Sequence, residues 1–381
     1  MAYAFLKRTL AIAVSGTLAL ALAWGAAEAF FRFGYPPTYV PDTGLAPDGY
    51  LGWNSVPAVT PLPLNSAPHK GAPYDRQSGA PGIPAVAFVG DSFTDRKPWP
   101  DEAQRLLTDR GIAVDGFNLG VSGYGTTQEF LKLEQHFKDL TPQAVVVLFF
   151  AWNDLRDNYP YPELFYGPQR ASRPYFLVSH GDVALAPVRW SSWLQSRLLQ
   201  SEVYLRVVNP SLRKVDAAIV RRWSDLPSSL GWRAKVYYEE DAGWHPFYRN
   251  DQADTAYVRG AYETTLAAFR KMRDLARSNG ARLLVIGIDN AFTVDADVQG
   301  HFITPHPELD MSLPLKRIGS LLEAEGIDFI DVQPELVQLG RETGKPVYDG
   351  PRDGLAGHLQ PEGYQVIGSI AARWLAERLP R

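Results

Sequence analysis

Short apolar runs recur along this chain, and between them apolar residues return with a helical period. Ala85 to Val89 (AVAFV) reads as a buried strand that ends on Gly90-Asp91-Ser92, and a helical pattern (PWPDEAQRLL) follows from about Pro98. Ile112 to Leu119 predicts a second short strand and Thr127 to Phe137 a helix. Ala144 to Phe150 (AVVVLFF) is continuously apolar, as expected of a strand covered on both faces. Farther on, roughly Asp254 to Ser278 predicts a long amphipathic helix with Asp254 as its N-cap. Ala281 to Ile288 (ARLLVIGI) predicts a strand, Leu313 to Glu325 a helix, Ile327 to Val332 (IDFIDV) a strand, and Pro361 to Arg378 a closing helix. Strands alternating with helices predict an α/β protein, a three-layer α/β/α domain on a five-stranded parallel sheet. The expected strand order is the flavodoxin-like 2-1-3-4-5.

Three stretches depart from this rhythm. Lys7 and Arg8 precede Thr9 to Ala27, which carries no charge and as a helix at ~1.5 Å per residue reaches roughly 28 Å, about one hydrocarbon core. With positive charge before it and Glu28 after it, residues 1–34 read as a signal anchor or transmembrane helix, with the N-terminus cytoplasmic and the rest extracytoplasmic, periplasmic or at the cell surface. Ala27-Glu28-Ala29 also fits a leader-cleavage site, so retention and removal both stay open. Residues 35–84 are rich in Pro and Gly and read as a linker. Residues 155–253 form a long insertion within the domain expected over 85–381. It holds Trp190, Trp193, Trp223, Trp232 and Trp244 of the ten tryptophans, and Arg173 to Leu185 (RPYFLVSHGDVAL) predicts a hairpin turning at His180-Gly181-Asp182.

Composition narrows the chemistry. In 381 residues, 45% hydrophobic and 12% aromatic, there is ample material for a sizeable core. A net charge of −4 gives no support for a nucleic-acid partner. Without cysteine, thiolate catalysis, disulfides and Cys-based metal sites are excluded. His301 and His306 have no third ligand at a recognisable spacing, so neither metal nor cofactor is expected.

A strand, a glycine and then a hydroxyl residue is a physical recipe for presenting a nucleophile, although Gly-Asp-Ser is also a common turn tripeptide. A serine that cleaves esters needs a base, and the base an orienting carboxylate. In α/β sheets such groups gather at the carboxyl ends of strands. Four blocks qualify: Gly90-Asp91-Ser92, Asn118 to Gly125 (NLGVSGYG), Trp152-Asn153-Asp154, and Asp353 to Gly363 (DGLAGHLQPEG) before the last helix.

In this order and spacing the blocks resemble the SGNH hydrolase superfamily, the GDSL-type esterases and lipases, over roughly 85–378 with the insertion interrupting. The anchor and the RPYFLV segment resemble its membrane-anchored bacterial subgroup. The resemblance implies Ser92 as nucleophile, His358 as general base and acid, and Asp353 as the carboxylate that orients it. It also implies an oxyanion hole from the N–H groups of Ser92 and Gly123 and the Asn153 side chain. The family's spacing is Asp-x-x-His, whereas here position 355 is Leu and Asp353 stands five residues before His358. A bulge at Ala356-Gly357 would bring Asp353 to the ring; Asp349 or a backbone carbonyl are the alternatives. Trp152 stands where small residues are usual and would favour a short acyl group. The implied function is an extracytoplasmic serine esterase acting through an acyl-enzyme on a short, acetyl-type ester, with an acetylated glycan as the substrate guess. An O-acetyltransferase of an envelope polysaccharide would share the same machinery, and a glycan-binding protein without activity is the non-enzymatic alternative.

Overall fold

The computed structural model describes residues 2–34, 45–48, 50–55, 82–158, 173–179, 182–186, 201, 203–208, 245–303, 306–349 and 357–379. Most of the expected linker and insertion, and Asp353, lie outside the described residues. Helix α1 (Ala2–Gly34) is unbroken across Ala27-Glu28-Ala29. Its stretch Val14–Gly34 has mean hydropathy 1.4 and no buried residues, and among the described residues it alone is long and apolar enough to cross a membrane. Near its end, Glu28 Oε2 accepts hydrogen bonds from Ser201 Oγ (2.9 Å) and the Val203 N–H (3.1 Å), while Oε1 pairs with Arg32 at 2.7 Å. Helix α1 and residues 201–208 belong to one compact unit, and the sheet described next belongs to another. Strands β1 (Leu45–Asp48) and β2 (Gly52–Ser55) form a separate two-stranded sheet among the described residues.

The core strands are β3 (Ala85–Gly90) and β5 (Ala144–Phe150), buried at every position. That explains why both read as unbroken apolar runs: a strand with helices over both faces has no polar side to alternate with. They are flanked by β4 (Asp115–Asn118) and β8 (Arg282–Ile288), with β9 (Asp328–Asp331) at the far edge. The order β4-β3-β5-β8-β9 is the expected 2-1-3-4-5, with every pairing parallel. Fully burying one of these Val, Leu, Ile or Phe side chains contributes about 1.5–3 kcal/mol, so the two central strands anchor the fold. Strands β6 (Tyr175–Ser179) and β7 (Asp182–Ala186) form the expected antiparallel hairpin, pairing Ser179 with Asp182 around a turn outside the described residues.

Helices α2 (Trp99–Asp109) and α9 (Pro361–Arg378) pack together on one face. Helices α3 (Thr126–Leu140), α4 (Ala151–Asn158), α5 (Ala256–Ser278) and α7 (Leu313–Ala324) pack together as the other layer. The N-cap of α5 is Thr255, whose side chain accepts the Val258 N–H, and not Asp254. Three helices had no separate sequence signal: α4, α6 (Ala296–Ile303) and α8 (Gln333–Thr343). Helix α4 begins directly after β5, so no turn residue announces it. Gly287 and Gly319 make room for the Phe329 ring of β9: a Cβ at either would lie 2.7 Å from it.

Candidate active site

Strand β3 ends in a turn too tight for a side chain at its first position. A Cβ on Gly90 would collide with Thr94 Oγ1 and come within 3.0 Å of the Leu148 carbonyl. Asp91, fully buried, then organises the turn. Its carbonyl accepts the N–H groups of Thr94 (3.1 Å) and Asp95 (2.8 Å), and its Oδ1 accepts that of Phe93 at 2.8 Å. Ser92, between these anchors, is left partly exposed at the carboxyl end of the strand.

The loop after β4 is drawn against this turn. The Leu119 N–H donates to the Phe88 carbonyl (2.7 Å) and the Val121 N–H to that of Gly90 (3.1 Å), continuing the ladder past the strand. A Cβ on Gly120 would stand 2.5 Å from the Asp95 nitrogen, so this close approach requires glycine. Ser122 donates through its N–H (3.2 Å) and Oγ (2.7 Å) to Asp95 Oδ2. Gly123 has φ +78°, in the left-handed region, and no described residue accepts its N–H. From the first turn of α4, Asn153 Nδ2 donates to Asp91 Oδ2 at 3.0 Å. The second proton of that amide is then the one available to a ligand.

His358 arrives from the other end of the chain, just before α9, with its ring centroid 4.8 Å from that of Phe93, the neighbour of Ser92. Its backbone is clasped by Asp349, whose Oδ1 accepts the His358 N–H (2.6 Å) and whose N–H donates to the His358 carbonyl (2.8 Å). Gly357 permits the clasp, since a Cβ there would collide with the Asp349 carbonyl oxygen. Nε2 is buried with no hydrogen-bond partner among the described residues. Burial lowers the His358 pKa, Lys97 lowers it further, and Asp349 opposes both. The ring is thus biased toward the neutral form that can accept a proton.

Ser92, Gly123, Asn153 and His358 therefore share one end of the sheet, and the structure places Asp349 on the histidine backbone. Trp152 is half-buried beside them, 6.0 Å from Phe150 between ring centroids, with the Arg156 guanidinium 5.1 Å from its ring. A cavity of about 560 Å³ along β9, lined by Asp328, Trp374 and Arg378 among others, holds none of these residues.

Sequence reasoning passed over Glu129 and named Asp154 only as a member of the third block. Glu129 of α3 and Asp154 of α4 are buried, and among the described residues both Glu129 oxygens and Asp154 Oδ1 lack a donor. Asp154 Oδ2 accepts the Phe150 N–H at 3.0 Å. Burial, reinforced by mutual repulsion with Asp91, holds Glu129 and Asp154 well above the usual carboxylate range; burial pushes Asp91 up to about 6. The only hint was an acid within the apolar surroundings of Phe130, Leu131 and Leu133.

These carboxyls bind protons more tightly folded than unfolded. Their stabilising contribution is full below ~4 and is lost as pH rises through the raised folded values. Glu129→Gln keeps the shape and removes the titration. Its Tm relative to wild type should therefore gain ~2–4 °C between pH 5 and pH 8 in thermal scans. A pH-independent offset would show that folding does not raise the Glu129 pKa.

No known family model matches the chain, and no curated protein matches it. Solved structures do. The chain is similar to an acetyl xylan esterase at 11% identity, with TM-score 0.39, covering 77% of this chain and 98% of that one. A lipase/acylhydrolase from Enterococcus faecalis matches at 14% identity and TM-score 0.36, covering 78% and 98% respectively. A gut microbial diltiazem-metabolizing enzyme matches at 10% identity and TM-score 0.40 over 76% of this chain, which spans 46% of that enzyme. At such identities and scores the chemistry has to be argued from this chain's own residues.

Proposed function

We propose that this protein is a serine ester hydrolase that removes a short acyl group, acetyl foremost, from a carbohydrate through an acyl-enzyme on Ser92. One observation carries the reading: Ser92, the Gly123 N–H, which no described residue accepts, and the Asn153 amide all follow the carboxyl ends of adjacent parallel strands, with the His358 ring beside Phe93. Ser92 Oγ would attack the ester carbonyl carbon while His358 Nε2 takes its proton. The oxyanion would be received by the N–H groups of Ser92 and Gly123 and by Asn153 Nδ2. The carbonyl then re-forms, and the alcohol departs with the proton from His358. Water, deprotonated by the same nitrogen, releases the acid and restores Ser92. Asp353 is the proposed orienting carboxylate, from its place before His358 in the fourth block, and the second oxygen of Asp349 is the alternative.

Trp152 and Phe150 support the short acyl group, because two large rings just before Asn153 in sequence, 6.0 Å apart, would narrow the space beyond the carbonyl. The carbohydrate is a matter of similarity to the acetyl xylan esterase and rests on no contact in the site. Helix α1 supports attachment to a membrane, with the catalytic domain on the far side.

A membrane-impermeant fluorophosphonate applied to intact spheroplasts making the full chain tests serine and location together. Ser92 should carry the label, by peptide mass spectrometry, without lysis. Labelling only after lysis overturns the location, and an unlabelled Ser92 in lysed cells overturns the nucleophile. Hydrolysis of acetyl esters slower than that of long-chain esters would overturn the acyl preference.

A further inference from the structure

The hairpin β6–β7 lies outside the four blocks, yet the residue two before its first strand reaches into the site. Arg173 Nη2 donates to the Gly123 carbonyl at 2.9 Å. Its Nη1 donates to the Asp157 carbonyl at 3.1 Å and lies 2.8 Å from Asp157 Oδ2. The two side chains are only 11% and 10% exposed, so water competes weakly for these bonds. Asp157 stands one turn beyond Asn153 on α4. We infer that Arg173 is a positioning residue for oxyanion binding: its guanidinium ties the Gly123 peptide to the helix that carries Asn153.

The argument follows from the freedom of glycine. The direction of the Gly123 N–H depends on the peptides on either side of it. On the N-terminal side, Ser122 is held by Asp95 through both its N–H and its hydroxyl. On the C-terminal side, the Tyr124 N–H donates to the Val121 carbonyl at 3.1 Å, and Arg173 holds the opposite end of the same peptide at the Gly123 oxygen. Without Arg173 that carbonyl loses its tether, and a glycine already at positive φ has other conformations open to it at little cost. Asp157 makes the tether directional. The planar fork of arginine can span a carbonyl on one loop and a carboxylate on a helix, whereas a lysine ammonium is a point charge on a flexible stem. At the end of α4, Asn158 adds a second tie. Its Oδ1 accepts the Thr127 N–H (3.2 Å) and its Nδ2 donates to Thr126 Oγ1 (2.9 Å), joining α4 to the helix that the Gly123 loop leads into. Arg173 supplies the tie nearest the proposed donors.

This inference rests on the ester-cleaving reading, and the test separates the two. The full chain in detergent micelles is assayed with p-nitrophenyl acetate as wild type, Ser92→Ala, Arg173→Ala, Arg173→Lys and Arg273→Ala. Arg273 pairs with Glu325, so its variant serves as a control for the loss of a partly buried arginine. Arg173→Ala should lose ~10–10²-fold in kcat with KM within about twofold, the mark of a misplaced donor rather than a lost binding contact. Arg173→Lys should recover little, and guanidinium chloride at millimolar concentration should restore part of the kcat of Arg173→Ala but none in Ser92→Ala. Unchanged kcat in Arg173→Ala overturns the proposal. So does a loss that guanidinium leaves unrepaired and that Arg273→Ala matches, since that would be general destabilisation. Wild-type turnover no faster than that of Ser92→Ala overturns the ester-cleaving reading, and the role of Arg173 with it.

Discussion

Replacing Ser92 by alanine should lower kcat for a short acetyl ester by on the order of 10⁴–10⁶-fold, leaving only what the oxyanion donors and substrate binding supply. The fold should not notice the change. The turn is held by the Asp91 carbonyl and carboxylate and by the contact that requires Gly90, and none of these uses the Ser92 hydroxyl. Tm should therefore stay within about 1 °C of wild type, surface-like changes being small. Steady-state rates with a chromogenic acetyl ester, read beside thermal scans, check both halves. A variant that keeps a tenth of the wild-type rate would remove Ser92 from the chemistry.

His358→Ala should fall nearly as far, and the double variant Ser92→Ala/His358→Ala should be no slower than either single one, because nucleophile and base act as a unit. The pH profile adds a signature. Burial and Lys97 lower the His358 pKa, so the neutral base persists below the ordinary histidine value of ~6.5. The acid limb of kcat/KM should accordingly lie below ~6.5 in wild type and vanish in the residual activity of His358→Ala. An acid limb unchanged in the variant would assign it to another group. Within the same series, Asp353→Asn should lose ~10⁴-fold in kcat if that carboxylate sets the tautomer of the ring, and an unchanged rate would remove it from the site.

Much of the frame was legible in the residues because its physics is local. Strands buried on both faces must be apolar throughout, which made β3 and β5 readable to the residue or nearly so. Helix α7 and the closing helix α9 likewise carried their own periods. Helix α4 was not legible, since it starts directly after the last residue of a strand with no punctuation, and the N-cap of α5 was misplaced by one residue between two competent cappers.

The site divided along the same line. The sequence alone determined which residues stand at strand ends, because strand positions follow from hydrophobic pattern and Ser92, Gly123 and Asn153 come just after them. Long-range contacts were decided only by the tertiary structure. Asp91 and Asn153 are distant in the chain and meet through an amide hydrogen bond, and Phe93 meets His358 from the opposite end. Glu129 had no reading of its own in the sequence, and only the fold brings it close enough to Asp154 of α4 for the two buried carboxyls to repel each other. Arg173 looked like the start of a hairpin until folding carried it to the Gly123 carbonyl. No periodicity encodes such pairings, because each depends on two segments whose separation is set by the sheet between them.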